Sequence, residues 1–176
     1  MKKNLCFLIA FTLLLSAALW ATDPFVGKWT LNTQKSKYPP GTCPTRMDIE
    51  MEPAGHGVHY RSETTLANGR STSSDYTADY NGKQAIVMGA HGMLLPVSLK
   101  RINSNTVVAS YTKSLQVVAT SRRVVSWDGR LMTITTTSQD PSGKAVTTVG
   151  VYERAGSALH AQRRPTKIHA REIAIH

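Results

Sequence analysis

The side chains best suited to chemistry in this 176-residue chain are two histidines three positions apart, His56 and His59, and three alternating carboxylates, Asp48, Glu50 and Glu52. A zinc-type site needs convergent ligands and at least three of them. His56 follows the turn signal Pro53-Ala54-Gly55, and His59 sits in an alternating run, where residues i and i+3 diverge, so the pair predicts no metal site. The carboxylates do share a face, and crowding raises carboxyl pKa values. That face lies opposite Met47, Ile49 and Met51, which makes it a solvated exterior. His91 stands alone in a Gly89-Ala90-His91-Gly92 loop. No G-x-S-x-G elbow, phosphate loop, dinucleotide fingerprint or H-E-x-x-H helix occurs. The sequence therefore predicts no catalytic residues, no metal and no cofactor, and an enzyme ranks behind a binding protein.

The elements that must position any binding site alternate with period two. Met47, Ile49 and Met51 oppose Asp48, Glu50 and Glu52; Val58, Tyr60 and Ser62 oppose His59, Arg61 and Glu63; Met132 and Ile134 alternate with threonines. Such runs are strands with one buried face. Between them lie Asn68-Gly69, Asn81-Gly82, Asn103-Ser104-Asn105, Asp128-Gly129 and Pro141-Ser142-Gly143, the turn chemistry of tight hairpins. The pattern predicts about ten strands, at 25–31, 45–52, 57–65, 70–80, 83–89, 94–102, 105–113, 115–126, 130–138 and 144–154, with no helical stripe among them. Successive hairpins make an all-β, antiparallel up-and-down meander, and closure into a barrel removes its exposed edges.

The ends read differently. Lys2 and Lys3, an apolar run from Leu5 to Leu15 and the small residues before Thr22 form the pattern of a secretory signal peptide over 1–21. The run is marginal for spanning a bilayer, so the expected product is exported, periplasmic or secreted, without stable membrane insertion. Of the two cysteines only Cys43 would then remain, which excludes an internal disulfide. Residues 155–176 lose the alternation and carry Arg163, Arg164, Lys167 and Arg171, a basic tail expected to be flexible. The formal net charge of +10 is thus concentrated at the ends, and the body 22–154, expected to be a single barrel domain, holds basic residues only in pairs, Lys100-Arg101 and Arg122-Arg123. Without basic clusters interleaved with aromatics, nucleic acid is not an expected partner. The chain is expected to be a monomer.

Two motifs bracket the body. Phe25-Val26-Gly27-Lys28-Trp29-Thr30-Leu31 resembles the opening F-x-G-x-W-x-L of the calycin superfamily, lipocalins and fatty-acid-binding proteins, and Val149-Gly150-Val151-Tyr152-Glu153-Arg154 is similar to the closing strand of fatty-acid-binding proteins. The resemblance covers roughly 25–154 and extends to small exported lipocalin-like proteins of bacteria. It implies a ligand-holding barrel whose base is closed by Gly27 and Trp29, with Tyr152 a candidate ligand contact. Two departures stand out. The segment Asn32–Pro44 is too short and Pro-rich for the family's helical lid, so access to the interior must be organised differently or the mouth stays open. The family's final-strand arginine aligns with Gly150, so a carboxylate would need another cation. Arg122 or Arg123 is the substitute, and adjacent strand residues point oppositely, so only one of them faces inward. Arg101 and Tyr60 complete the candidate ligand contacts, although burial statistics favour solvent for Arg101 and Arg123.

The leading expectation is a non-catalytic carrier for a small hydrophobic or amphipathic ligand, bound by apolar burial with one or two orienting polar groups. The alternative is a binding or inhibitory module with a filled interior, engaging a protein or an anionic envelope polymer through its loops and basic tail.

Overall fold

The computed structural model describes residues 23–91, 94–140 and 142–156. The signal-peptide reading of 1–21 and most of the tail reading of 155–176 lie outside these residues. Eleven strands follow one another: β1 (Gly27–Leu31), β2 (Arg46–Ala54), β3 (Gly57–Thr65), β4 (Ser71–Asp79), β5 (Asn81–Ala85), β6 (Met88–Ala90), β7 (Val97–Asn103), β8 (Thr106–Lys113), β9 (Gln116–Val125), β10 (Leu131–Gln139) and β11 (Ala145–Arg154). Every pairing is antiparallel, and no helix occurs among the described residues.

The first and last strands pair, with Trp29 opposite Arg154 and Leu31 opposite Tyr152, while β1 also pairs with β2. The sheet order is β5-β7-β8-β9-β10-β11-β1-β2-β3-β4-β6. Its two ends are halves of one extended segment. Residues of β5 bond to β7, as in Ala85 opposite Val97, and residues of β6 bond to β4, as in Gly89 opposite Ser74. The ring therefore closes through the chain itself, which changes partners at Ile86-Val87. This changeover splits the single strand expected over 83–89 into two. A Cβ on Gly89 (φ +149°) would collide with the Ser73 carbonyl, so β6 approaches β4 closely only because residue 89 has no side chain.

Inward-facing residues fall into layers because cross-strand partners share a height. Toward the base the interior is apolar: Met51, Val58, Ala78, Leu99, Val107, Val125 and Met132 are all buried. Tyr60 lies opposite Met51 and Tyr76, and Arg123 opposite Val107 and Ile134; toward the other end lie Ser62, opposite Ile49 and Ser74, and Ser121, opposite Thr136.

Trp29 closes the base, 1% exposed, its Nε1 donating to the Phe25 carbonyl at 2.9 Å. The Arg154 guanidinium covers the indole, 4.1 Å from its centroid. It donates to the carbonyls of Gly129, Val26 and Pro24, each at 2.6 Å, tying three chain segments together. A Cβ on Gly27 would lie 2.5 Å from Arg154 Nη1, so the glycine leaves room for the clamp. Arg101 belongs to this end too. It pairs with Asp23 and lies over the Tyr80 ring at 3.9 Å.

Candidate functional site

Strand alternation on β9 puts Ala119, Ser121, Arg123 and Val125 inside and leaves Arg122 exposed. Arg123 is 3% exposed, against the expectation that it is solvated. The reason is local: three tyrosines from neighbouring strands reach its guanidinium. Its Nη2 donates to Tyr76 Oη at 2.8 Å and to Tyr111 Oη at 3.3 Å, and its guanidinium lies 4.9 Å from the Tyr60 ring centroid. Tyr60 and Tyr76, directly opposite on β3 and β4, stack at 4.7 Å. Among the described residues no carboxylate pairs with Arg123, and its buried Nε has no hydrogen-bond partner.

The charge state of this layer follows from burial. Desolvation pushes the Tyr76 phenol far above its ordinary pKa, more than the Arg123 charge draws it down, and desolvation likewise raises Tyr60. Both stay neutral. Burial works against the Arg123 cation, yet the surrounding tyrosine oxygens hold its pKa well above the ordinary guanidinium value. Among the described residues this group therefore carries a single positive charge with no carboxylate paired to it.

The three tyrosines, though not Arg123 itself, also line a cavity of about 200 Å³. Tyr60, Tyr76 and Tyr111 line its floor and wall, Met47 and Val87 are its two apolar residues, and the other six lining residues are serines and threonines. Two of these, Ser121 and Thr136, hydrogen-bond at 2.7 Å. The lining is thus richer in hydroxyls than the apolar interior expected from the strand pattern. Period two identifies which residues face inward, but not that the upper inward positions of β3, β4, β9 and β10 are polar together.

The remaining candidates fall in different places. Tyr60 lines the cavity. Tyr152 is buried behind Met47, its Oη donating toward Met47 Sδ at 3.1 Å. Arg101 is part of the base and Arg122 faces outward, so neither reaches the cavity. His59 lies on the outer face, Nε2 2.9 Å from Asp75 Oδ1 and Nδ1 3.7 Å from Glu52. Asp48 pairs with Arg46 and Glu50 with Lys28 on the same exterior. Among the described residues no three His, Cys, Asp or Glu side chains converge as metal ligands would.

Tyr38 is the residue that sequence reasoning missed. The segment after β1 does not simply leave the mouth open: Lys37 forms a bridge with Val149, and Ser36 Oγ accepts from the Val151 amide at 2.9 Å. This seats Tyr38 beside Tyr152 above Gly150. A Cβ on Gly150 would lie 2.8 Å from Tyr152 Cε2 and 3.0 Å from Tyr38 Oη. An arginine at 150 is thus replaced by two phenols occupying its space. Gly150→Ala is expected to lower stability by roughly 1–3 kcal/mol, the usual cost of overpacking, and a thermal melt matching the parent protein would show that Tyr38 yields freely.

No family model matches the sequence, and no curated protein is similar to it in sequence. Among solved structures, zebrafish ileal bile acid-binding protein complexed with cholic acid superposes with a TM-score of 0.50 at 13% identity, over 74% of this chain and 98% of that one. The fold is calycin-like, as the bracketing motifs imply.

Proposed function

We propose that this chain is an exported, non-catalytic carrier that holds one small amphipathic ligand inside the barrel, with the ligand's anionic end directed to Arg123 and its body in the hydroxyl-lined cavity. One observation carries the reading: a buried guanidinium with an unpartnered Nε donates to Tyr76 and Tyr111, two of the tyrosines that line the cavity. A buried charge is costly until an opposite charge meets it, and a bound carboxylate, sulfonate or phosphate ester supplies that charge. The zebrafish structure is of a bile acid-binding protein in complex with cholic acid, which supports a ligand-holding role for the shared architecture. Export rests on the leader-like residues 1–21.

The cavity is smaller than the roughly 300–1,000 Å³ of drug-sized ligand sites. The expected ligand is therefore compact, on the scale of a medium-chain carboxylate. The same volume favours a second reading, the filled-interior module acting through its surface. Native mass spectrometry of protein purified from its own host separates the two: the carrier gives one small adduct per chain, in negative-mode extracts an acid, and octanoate binds the delipidated protein while octanol binds poorly. Bare mass together with no octanoate binding leaves the filled-interior module.

A further inference from the structure

Alternation decides which strand positions face inward, but not what fills them, and this chain fills them in two ways. Toward the base they are apolar, as in Val58 opposite Ala78. Two residues from Tyr60 and Tyr76 the same strands carry Ser62 opposite Ser74, and two further on Thr64 opposite Thr72. Two residues before Arg123, β9 carries Ser121, opposite Thr136 of β10. All six hydroxyl side chains line the cavity.

Strand preference does not account for them. Threonine is a favoured strand residue, but serine is not, and Ser62, Ser74 and Ser121 make up half the set. Exposure does not account for them either. Ser62 is 7% and Ser121 3% exposed, and the other four are half-buried. A buried hydroxyl costs free energy unless it is hydrogen-bonded. The Ser121–Thr136 bond uses one donor and one acceptor, which leaves that pair one donor and three acceptor positions. An alkyl chain beside these walls strips water from the hydroxyls and gives nothing back, whereas a ligand hydroxyl restores the bonds. A polar site of this kind rejects an analogue lacking the hydroxyl far more strongly than an apolar pocket selects for a methylene.

We infer that the carried molecule is a hydroxy acid: a compact carboxylic acid with at least one hydroxyl remote from the carboxylate, held by the serine and threonine rows. This rests on the carrier reading, which directs the carboxylate to Arg123. At the usual strand rise, two residues place the serine row about 7 Å along the strands from Tyr60, Tyr76 and Arg123. A hydroxyl next to the carboxylate falls short of that row. One near the far end of an eight-carbon chain reaches it.

Titration calorimetry of the delipidated protein with octanoate, 2-hydroxyoctanoate and 7-hydroxyoctanoate tests this. The 7-hydroxy acid is expected to bind at least about tenfold more tightly than octanoate, and the 2-hydroxy acid within about threefold of it. Two double variants check the assignment to residues. One joins Ser62→Ala to Ser74→Ala; the other joins Ser121→Ala to Thr136→Val, which removes both partners of one hydrogen bond together. Each is expected to weaken the 7-hydroxy acid by about tenfold and to strengthen octanoate severalfold, because the wall becomes apolar. The three-acid comparison needs no variant and stands if one fails to fold. Octanoate binding as tightly as the 7-hydroxy acid, equal gains from the 2- and 7-hydroxyls, or folded variants that keep the preference overturn the inference and leave the carrier reading in place. Failure of all three acids to bind removes both.

Discussion

Arg123→Met is expected to weaken octanoate binding by about 10–100-fold, corresponding to the ~1.5–3 kcal/mol of a hydrogen bond to a charged group, while leaving the melting temperature equal or higher. The opposed signs make the test decisive. Methionine fills a volume close to that of the arginine stem and has no charge to bury. The guanidinium it removes has one buried nitrogen unpartnered and only phenols and a ring face around it. Replacing buried ionic groups with apolar residues of similar size is often neutral or stabilising. The ligand, by contrast, loses the cation toward which its anionic end is proposed to be directed. Titration calorimetry with octanoate and octanol, alongside thermal unfolding, reads both quantities. A lower melting temperature with unchanged octanoate affinity makes Arg123 a structural pin for Tyr76 and Tyr111, and the anion-directed carrier reading fails.

Trp29→Ala is expected to destabilise the barrel by ~3–5 kcal/mol, the cost of truncating a large buried aromatic side chain, and to lower the melting temperature by about 10–25 °C. The indole is 1% exposed and is the surface on which the Arg154 guanidinium rests. Its loss leaves a cavity in the base and frees the clamp that holds the Gly129, Val26 and Pro24 carbonyls. Trp29→Phe retains an aromatic face but loses the Nε1 hydrogen bond to Phe25, so an intermediate loss is expected. Circular dichroism melts of both variants check this. A loss below about 1 kcal/mol for Trp29→Ala would mean that the Arg154 hydrogen bonds alone hold the base closed.

The architecture was legible because period two survives in nearly every strand. Asn68-Gly69 and Asp128-Gly129 each mark a hairpin, whereas Asn81-Gly82 opens β5, which pairs with β7 and not with β4; nine of the ten expected strands correspond to single observed ones. The exception, 83–89, shows what one-dimensional reading lacks. Whether a strand bonds to the partner before it or after it is set by how the ring closes, and here the chain does both in succession. The Gly-x-Trp opening was legible for the same reason as the strands: a large indole beside a residue without a side chain is a local signature of close packing. The arginine that clamps it comes from the far end of the chain, 125 positions on, and only the β1–β11 pairing brings the two together.

The site divides along the same line. From the amino-acid order alone come the inward parity of Tyr60 and the certainty that Arg122 and Arg123 face opposite ways, because a strand's side chains must alternate. Which of the two is interior depends on the register of β9 against β8 and β10, fixed by a bulge near Tyr111 that no local pattern announces. Tyr38 reaches Tyr152 because a short loop bridges back to β11, and Tyr76, Tyr111 and Arg123 meet because β4, β8 and β9 turn these side chains into the same closed ring. Alternation is a nearest-neighbour property and can be read along the chain. Height around a barrel is collective, set by the combined registers of every strand, and exists only once the ring has closed.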